Sequence, residues 1–350
     1  MQHLKIYSKK DILALTKVRK FETKLGEHLQ VLPNANEIEA SIKQSTAKFV
    51  MFGVPEDIGI KADLGAGGGD SAWSNFLQSF LNIQSNDFLD GKEILFLGHF
   101  DFSDLESIIE SNAHNYEEKI EAYRHAVNTI DDAVEQLVQI ITQNRKMPLV
   151  IGGGHNNAYP CIKGAAKGWH KAGVIELAQI NAINLDTNSH YQPMEGRHSG
   201  NAFRYAEEDG YLQKYCVVGI HENTLTQNTW IDIVNNPFID CITHEDIFLH
   251  EKRTFIESVS HATAFTDGGL CGIELDLDVV ERSNTVGISA NHARQYLTYV
   301  ASDCKPAYLH ICDGTTLVNN PGQDIFEGKL ISYLVTDFVK AILMQLNGEV

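Results

Sequence analysis

The chain has 350 residues, 43% of them hydrophobic and 21% charged, which is enough to bury a full core as one large domain or two ordinary ones. Its formal net charge of −18, from 28 Lys and Arg against 46 Asp and Glu, argues against nucleic acid or an anionic membrane as partner, because no basic excess is present to neutralise phosphate. No run of 18 uncharged apolar residues marks a transmembrane helix, and the N-terminus MQHLKIYSKKDILALTK lacks the apolar centre of a secretory signal.

Residues 1–45 carry no strong strand signal and are expected to form an extension packed on a single domain that takes up the rest of 1–350. From there, short apolar runs rich in β-branched residues recur, each bounded by Gly, Asp, Asn or Pro. They are KFVMFGV (48–54), EILFLG (93–98), PLVIGGG (148–154), AINLD (182–186), YCVVGI (215–220), FIDCIT (238–243), GIELDLD (272–278) and AYLHIC (307–312). Runs that are apolar throughout suit strands covered on both faces of a parallel sheet. Between them apolar residues recur at helical spacing over 117–145, 156–173, 243–262, 289–303 and 326–348, the last closing at Gly348. Alternation of this kind predicts an α/β fold, either a doubly wound parallel sheet or a closed barrel.

Six cysteines (Cys161, Cys216, Cys241, Cys271, Cys304 and Cys312) show no CxxC spacing and mostly sit in apolar runs. They are expected to be buried free thiols, which fits a reducing cytoplasm. The glycine-rich stretch DLGAGGGDSAW ending at Trp73 has no GK[ST] sequence and does not directly follow a strand, so it reads as a tight loop near a site mouth rather than a phosphate loop.

Ligands in parallel sheets bind beyond the carboxyl ends of the strands. Four of the predicted strands deliver metal-competent side chains there: His155 directly after PLVIGGG, Asp186 with Asn188 and His190, Asp276 with Asp278, and Asp313. A lone carboxylate at a strand end is more often a cap or turn residue, and a lone histidine more often a hydrogen-bonded loop residue. The Asp276-x-Asp278 pair differs, because two carboxylates on one face of an apolar strand are costly unless a cation compensates them. The donor set is rich in oxygen with one or two imidazoles, which suits Mn2+ better than Zn2+. Close divalent ions bridged by carboxylates activate water near neutral pH, so the reaction class is metal-assisted hydrolysis.

GGGH at 152–155, the aspartate-led cluster after the next strand and Asp-x-Asp-x-x-Glu at 276–281 resemble, in order and spacing, three signature segments of the arginase, agmatinase and formimidoylglutamase family. Residues 53–73, 75–86 and 195–206 look like the formimidoylglutamase branch, and the resemblance covers roughly 45–345. It implies a three-layer α/β/α fold around a doubly wound, mostly parallel eight-stranded sheet, a dinuclear Mn2+ centre, homo-oligomers, and hydrolysis of a formimino or guanidino C–N bond. Carried over by position, His155, Asp186, Asp276 and Asp278 match metal ligands, with Asp186 and Asp276 bridging. Asp313 matches a Glu that holds the cationic head of the substrate.

The middle segment departs from the family. Asn188 stands for a His ligand, His190 for an Asp ligand, and Gln192 for an Arg that grips the substrate carboxylate in the formimidoylglutamase branch. The resemblance also implies Gln192, Asn201 and Asn157 as substrate-binding residues. His190 or His198 would move protons, since imidazole titrates near neutrality. His155, Asp186, His190 and Asp276 would still make a four-ligand site, while the half containing Asn188 would be weak. Two functions are therefore expected to compete: hydrolysis of a small amidine-like substrate, with N-formimidoyl-L-glutamate first, and a degenerate, non-catalytic binding or regulatory role.

Overall fold

In the computed structural model, residues 1–68, 72–281, 286–314 and 321–348 are described. The strands are β1 (Leu4–Ile6), β2 (Gln30–Val31), β3 (Phe49–Gly53), β4 (Ile94–Phe100), β5 (Met147–Ile151), β6 (Ile180–Leu185), β7 (Leu212–Ile220), β8 (Ile239–Thr243), β9 (Cys271–Asp276) and β10 (Pro306–Cys312). They form one sheet in the order β1-β4-β3-β5-β10-β9-β6-β7-β8, with β2 alongside β4. β3 to β10 are parallel neighbours. The sheet is open, not a barrel, and each of the eight apolar runs lies in one of its strands.

Two apolar clusters cover the two faces and give the three layers. One packs under helices Ala72–Phe80, Phe255–Phe265, Ala290–Asp303 and Pro321–Asn347. The other packs under Tyr116–Gln143, Ala158–Lys171 and Ala202–Glu208. Within the last helix of the first group, Phe326–Asn347 is apolar and long enough to cross a bilayer by composition alone, and 56% of its most apolar window is buried. It packs on Ala72–Phe80 and Ala290–Asp303.

Side chains alternate along a strand. Cys271, Ile273 and Leu275 of β9 point into the first cluster, which leaves Glu274 and Asp276 on the opposite face.

Three expectations change. The first 45 residues do contribute strands: β1 runs antiparallel to β4 with Ile6 opposite Gly98, and β2 pairs with Leu95 and Phe96. Strands this short carry no periodic signal. Gly98 has φ +140°, and a Cβ there would lie 1.9 Å from the carbonyl oxygen of Lys5, so only glycine lets β1 approach. The helix expected over 243–262 is two, His244–Phe248 and Phe255–Phe265. Thr254 restarts the second with a capping box, its hydroxyl accepting from the N–H of Glu257 at 3.3 Å while Glu257 accepts from the N–H of Thr254 at 2.7 Å. Finally, β9 stops at Asp276 and a 3-10 turn covers Leu277–Val279. Asp276 and Asp278 therefore do not share a buried strand face: Asp276 is buried and Asp278 is exposed.

Candidate metal centre

The four strands that end in candidate ligands, β5, β10, β9 and β6, are consecutive in the sheet. Their lateral register places Cys312 beside Asp276, with Leu185 opposite Leu275, so that Asp186 follows next to Asp276. His155 reaches over this row from the turn after β5. Gly153 makes that turn possible: at φ +79°, a Cβ would lie 2.5 Å from the carbonyl oxygen of Val54. Glu56 holds the turn from beneath, accepting from the N–H of Gly154 at 3.2 Å and from the amides of Asn156 at 3.1 Å and Asn157 at 2.7 Å. Burial raises its carboxyl pKa, and the bonds from the N–H of Gly59 and the amides of Asn156 and Asn157 only partly offset the shift. Glu56→Ala would leave several buried donors unpaired, and we expect it to cost about 3 kcal/mol in urea unfolding, with Glu56→Gln, which keeps an acceptor, costing less than half as much.

Asp186 and Asp276 are oriented alike. Oδ1 of each accepts the backbone N–H two residues ahead, from Asn188 and Asp278, at 2.7 Å. Oδ2 of each faces the imidazoles. Nδ1 of His155 is 3.0 Å from Asp186 and 3.2 Å from Asp276. Nε2 of His190 is 3.1 Å from Asp186 and 3.5 Å from Asp276, while its Nδ1 donates to the carbonyl of Ser199 at 2.7 Å. Donor atoms of these four buried residues lie within 4.8 Å of one another. His190 and Asp313 hold left-handed backbone, φ +45° and +52°, a strain that non-glycine residues sustain where packing fixes them, often at functional sites.

The electrostatics fit a cation. Among the described residues no lysine or arginine pairs with Asp186 or Asp276; their ionic partners are His155 and His190. Burial disfavours the charged forms, yet Cys312 and then Asp186 and Asp276 raise His155 well above its usual range, and the two carboxylates raise His190 to about 10. Burial also opposes ionisation of Asp276, but the two histidines hold its pKa well below the carboxylate range. Protons on the imidazoles thus supply the positive charge that the carboxylates demand. Two imidazoles and two carboxylates are also a donor set that divalent first-row metals accept.

Behind this row lies a second polar row that sequence reasoning missed. Fully buried Glu274 accepts from the Tyr308 hydroxyl and from Nδ1 of His310, each at 2.6 Å. It sits 3.5 Å from Nε2 of His155. Cys312 was also missed: it is free and buried like Cys161, Cys216 and Cys271, but it groups with His155, Asp276 and Asp313 as a possible donor set.

The ligand row opens into a cleft of about 220 Å³. Asn188, His190, Gln192, Asp276, Asp278 and Asp313 line it. Burial first, and then Asp276, push the Asp313 carboxyl well above its usual range. Asp63 and Gly65, from the glycine-rich stretch, also line it, while residues 69–71 of that stretch lie outside the described residues.

Five expected site residues are not among those that line the cleft: His155 and Asp186, which belong to the ligand row, and Asn157, Asn201 and His198. Asn157 is buried, its amide given to Glu56 and to the carbonyl of Gly154. Asn201 is also buried. It accepts from Arg197 at 2.8 Å and from the N–H of His198, and donates to the carbonyls of Pro193 and Gly196. His198 is buried too, accepting the N–H of Gly200 at 3.2 Å, with Asp63 at 3.1 Å. Asn157, Asn201 and His198 fasten the loops behind the cleft, which corrects the substrate-binding and proton-shuttle roles expected of them.

A family model described as the arginase family matches residues 47–294. The formimidoylglutamase of Geobacillus thermodenitrificans is 23% identical over 192 residues, 53% of this chain and 58% of that protein. The arginase of Bacillus caldovelox is 25% identical over 201 residues, 54% of this chain and 67% of that protein. The chain thus spans little more than half the length of the first of these relatives. Formimidoylglutamase from Bacillus subtilis superposes with a TM-score of 0.70 at 15% identity, covering 93% of both chains. Trypanosoma cruzi formiminoglutamase with Mn2+ superposes at 0.67 and 17% identity, covering 91% of this chain and 98% of that one. These structural likenesses establish the fold.

Proposed function

The chain belongs to the arginase family, and from that premise we propose that it is a metal-dependent hydrolase of a C–N bond in an amidine-type group, formimino or guanidino. The observation that carries this reading is the buried grouping of His155, Asp186, His190 and Asp276 at the floor of a cleft. These four would hold the cation, which when bound supplies an activated water and charge stabilisation for hydrolysis. Asp313, in the cleft wall, would hold the cationic head of the substrate. The carbonyl of Ser199 fixes the His190 ring and leaves its Nε2 toward the site.

Manganese is the cation supported by the Trypanosoma cruzi relative. N-formimidoyl-L-glutamate, giving L-glutamate and formamide, is the substrate supported by the names of the relatives. Homo-oligomers and a cytoplasmic location belong to the same proposal. The degenerate, non-catalytic alternative gains no support from a centre that retains four converging donors.

The test is metal content per chain after incubation with excess Mn2+ and desalting, followed by assay of formimino and guanidino hydrolysis. We expect one retained ion and measurable turnover. Two retained ions would mean that Asn188 and Asp278 complete a second position. No retained ion and no turnover would overturn the hydrolase reading.

A further inference from the structure

A second cavity, of about 680 Å³, lies between helix Ala72–Phe80, the loop that follows it and the last helix, Pro321–Asn347. It shares no lining residue with the cleft over the ligand row, and its volume is that of a small-molecule site. In a chain of net charge −18, its described lining holds three lysines, Lys17, Lys329 and Lys340, and no Asp or Glu. Lys61, Lys119, Lys163 and Lys167 each pair with a carboxylate. The ammonium groups of Lys17, Lys329 and Lys340 have no ion pair or hydrogen bond among the described residues. Glu22, reached through Gln84, is already taken by Lys24 at 2.5 Å.

The cations are spread along the groove. Lys329 follows Gly328, where a Cβ would lie 2.2 Å from the carbonyl oxygen of Asn75. Lys17 lies toward the other end, its backbone N–H donating to the side chain of Asn82 at 2.6 Å. Asn75 and Asn82 are two helical turns apart, about 10 Å, and Lys340 is three turns along the last helix from Lys329. The groove is also lined by two aromatic rings left largely to solvent, Tyr333 at 54% and Phe88 at 79% exposure. The guanidinium of Arg294 lies 5.1 Å from the centre of the Tyr333 ring and steadies it.

We propose that this groove binds a nucleoside diphosphate, with its phosphates on the lysines and its base against Tyr333 and Phe88. Lysines without arginine suit phosphate, which takes point charges, better than carboxylate, which fits the arginine fork. Three cations match the roughly three negative charges of a diphosphate ester. Aromatic faces stack with any base. The side-chain amides of Asn75 and Gln78, which have no hydrogen bond among the described residues, offer donors and acceptors to its edge. The nucleotide is a second ligand, not the substrate, and the site stands whether or not the hydrolase reading holds.

The experiment is calorimetric titration of the full chain, in buffer without added divalent ion, with ADP, GDP, UDP, AMP, adenosine and inorganic pyrophosphate. One diphosphate per chain is expected, with AMP and pyrophosphate each about tenfold weaker than ADP, and adenosine weaker still. Lys329→Gln and Lys340→Gln are each expected to weaken ADP about tenfold. Tyr333→Ala is expected to weaken ADP about tenfold and to leave pyrophosphate unchanged. All three side chains are at least partly exposed, so these variants are expected to fold, which circular dichroism checks. No binding of ADP, GDP or UDP at millimolar concentration overturns the proposal, as does binding that ignores all three substitutions. Pyrophosphate as tight as ADP leaves no place for a base and overturns it too. A glutamate-rich peptide bound more tightly than ADP would make the groove a docking surface for an acidic partner instead.

Discussion

Asp276→Asn is expected to empty the centre of its cation and to lower hydrolysis by about three orders of magnitude, close to 4 kcal/mol of transition-state stabilisation. The substitution is nearly isosteric, and the amide oxygen can still accept the N–H of Asp278, which Asp276 bonds at 2.7 Å. What it removes is one of two negative charges facing His155 and His190. A neutral amide is a poor ligand for a divalent ion, and the remaining carboxylate is already paired with both imidazoles. Elemental analysis of the desalted variant, alongside circular dichroism, reads the effect directly. A folded variant that keeps both its ion and its activity would show that the ion sits elsewhere, with the grouping of His155, His310 and Cys312, which lacks Asp276, as the place to look.

The second large effect belongs to Glu274, which touches the centre only through His155. Glu274→Ala leaves Tyr308, His310 and Nε2 of His155 without their shared acceptor inside the sheet. Removing one partner from a buried charged network costs about 3–5 kcal/mol. Removing a residue that orients a metal-ligating histidine weakens metal binding by about 10–100-fold. The two consequences separate by measurement, since unfolding of the metal-free protein reads the first and a competitive chelator titration reads the second. Glu274→Gln, which keeps an acceptor oxygen for His155, should recover part of the metal affinity. Loss of stability with unchanged metal affinity would make Glu274 purely structural.

Its pH dependence has a definite sign. Burial opposes ionisation, but His310 and His155 hold the Glu274 pKa at about 2 against an ordinary 4.5. A depressed folded-state pKa gives stability that is full above 4.5 and fades as pH falls toward 2. The gap between Glu274→Ala and the parent should therefore narrow through that window.

Some of this molecule is plain in its sequence for local reasons. Apolar runs mark β3 to β10 because a strand covered on both faces carries few polar side chains in its middle. His155, Asp186, His190, Asp276 and Asp313 stand out because they follow such runs directly, and a parallel sheet puts all of those ends on one edge. Even the break between the helices at 248 and 255 is written locally, in the Thr254-x-x-Glu257 capping box, although helical periodicity on both sides hides it.

Other features depend on which strands become neighbours and in what register. That β5, β10, β9 and β6 lie side by side follows from packing between surfaces far apart in the chain. Glu274, His310 and Tyr308 look like isolated polar intrusions until lateral pairing of β9 with β10 sets them in contact. The same pairing puts Cys312 beside Asp276. Asp63 becomes a cleft residue only because its segment folds against the loop carrying Gln192 and Gly200. Asn157, Asn201 and His198 carry groups suited to substrate, but whether such groups face a ligand or the backbone is settled by the loops around them. The sequence by itself determined β3 to β10 and the donors that follow them, because burial and chain direction act over a few residues. Tertiary structure alone decided which donors converge and which are consumed in holding the fold, because both depend on contacts between segments that the chain does not place next to each other.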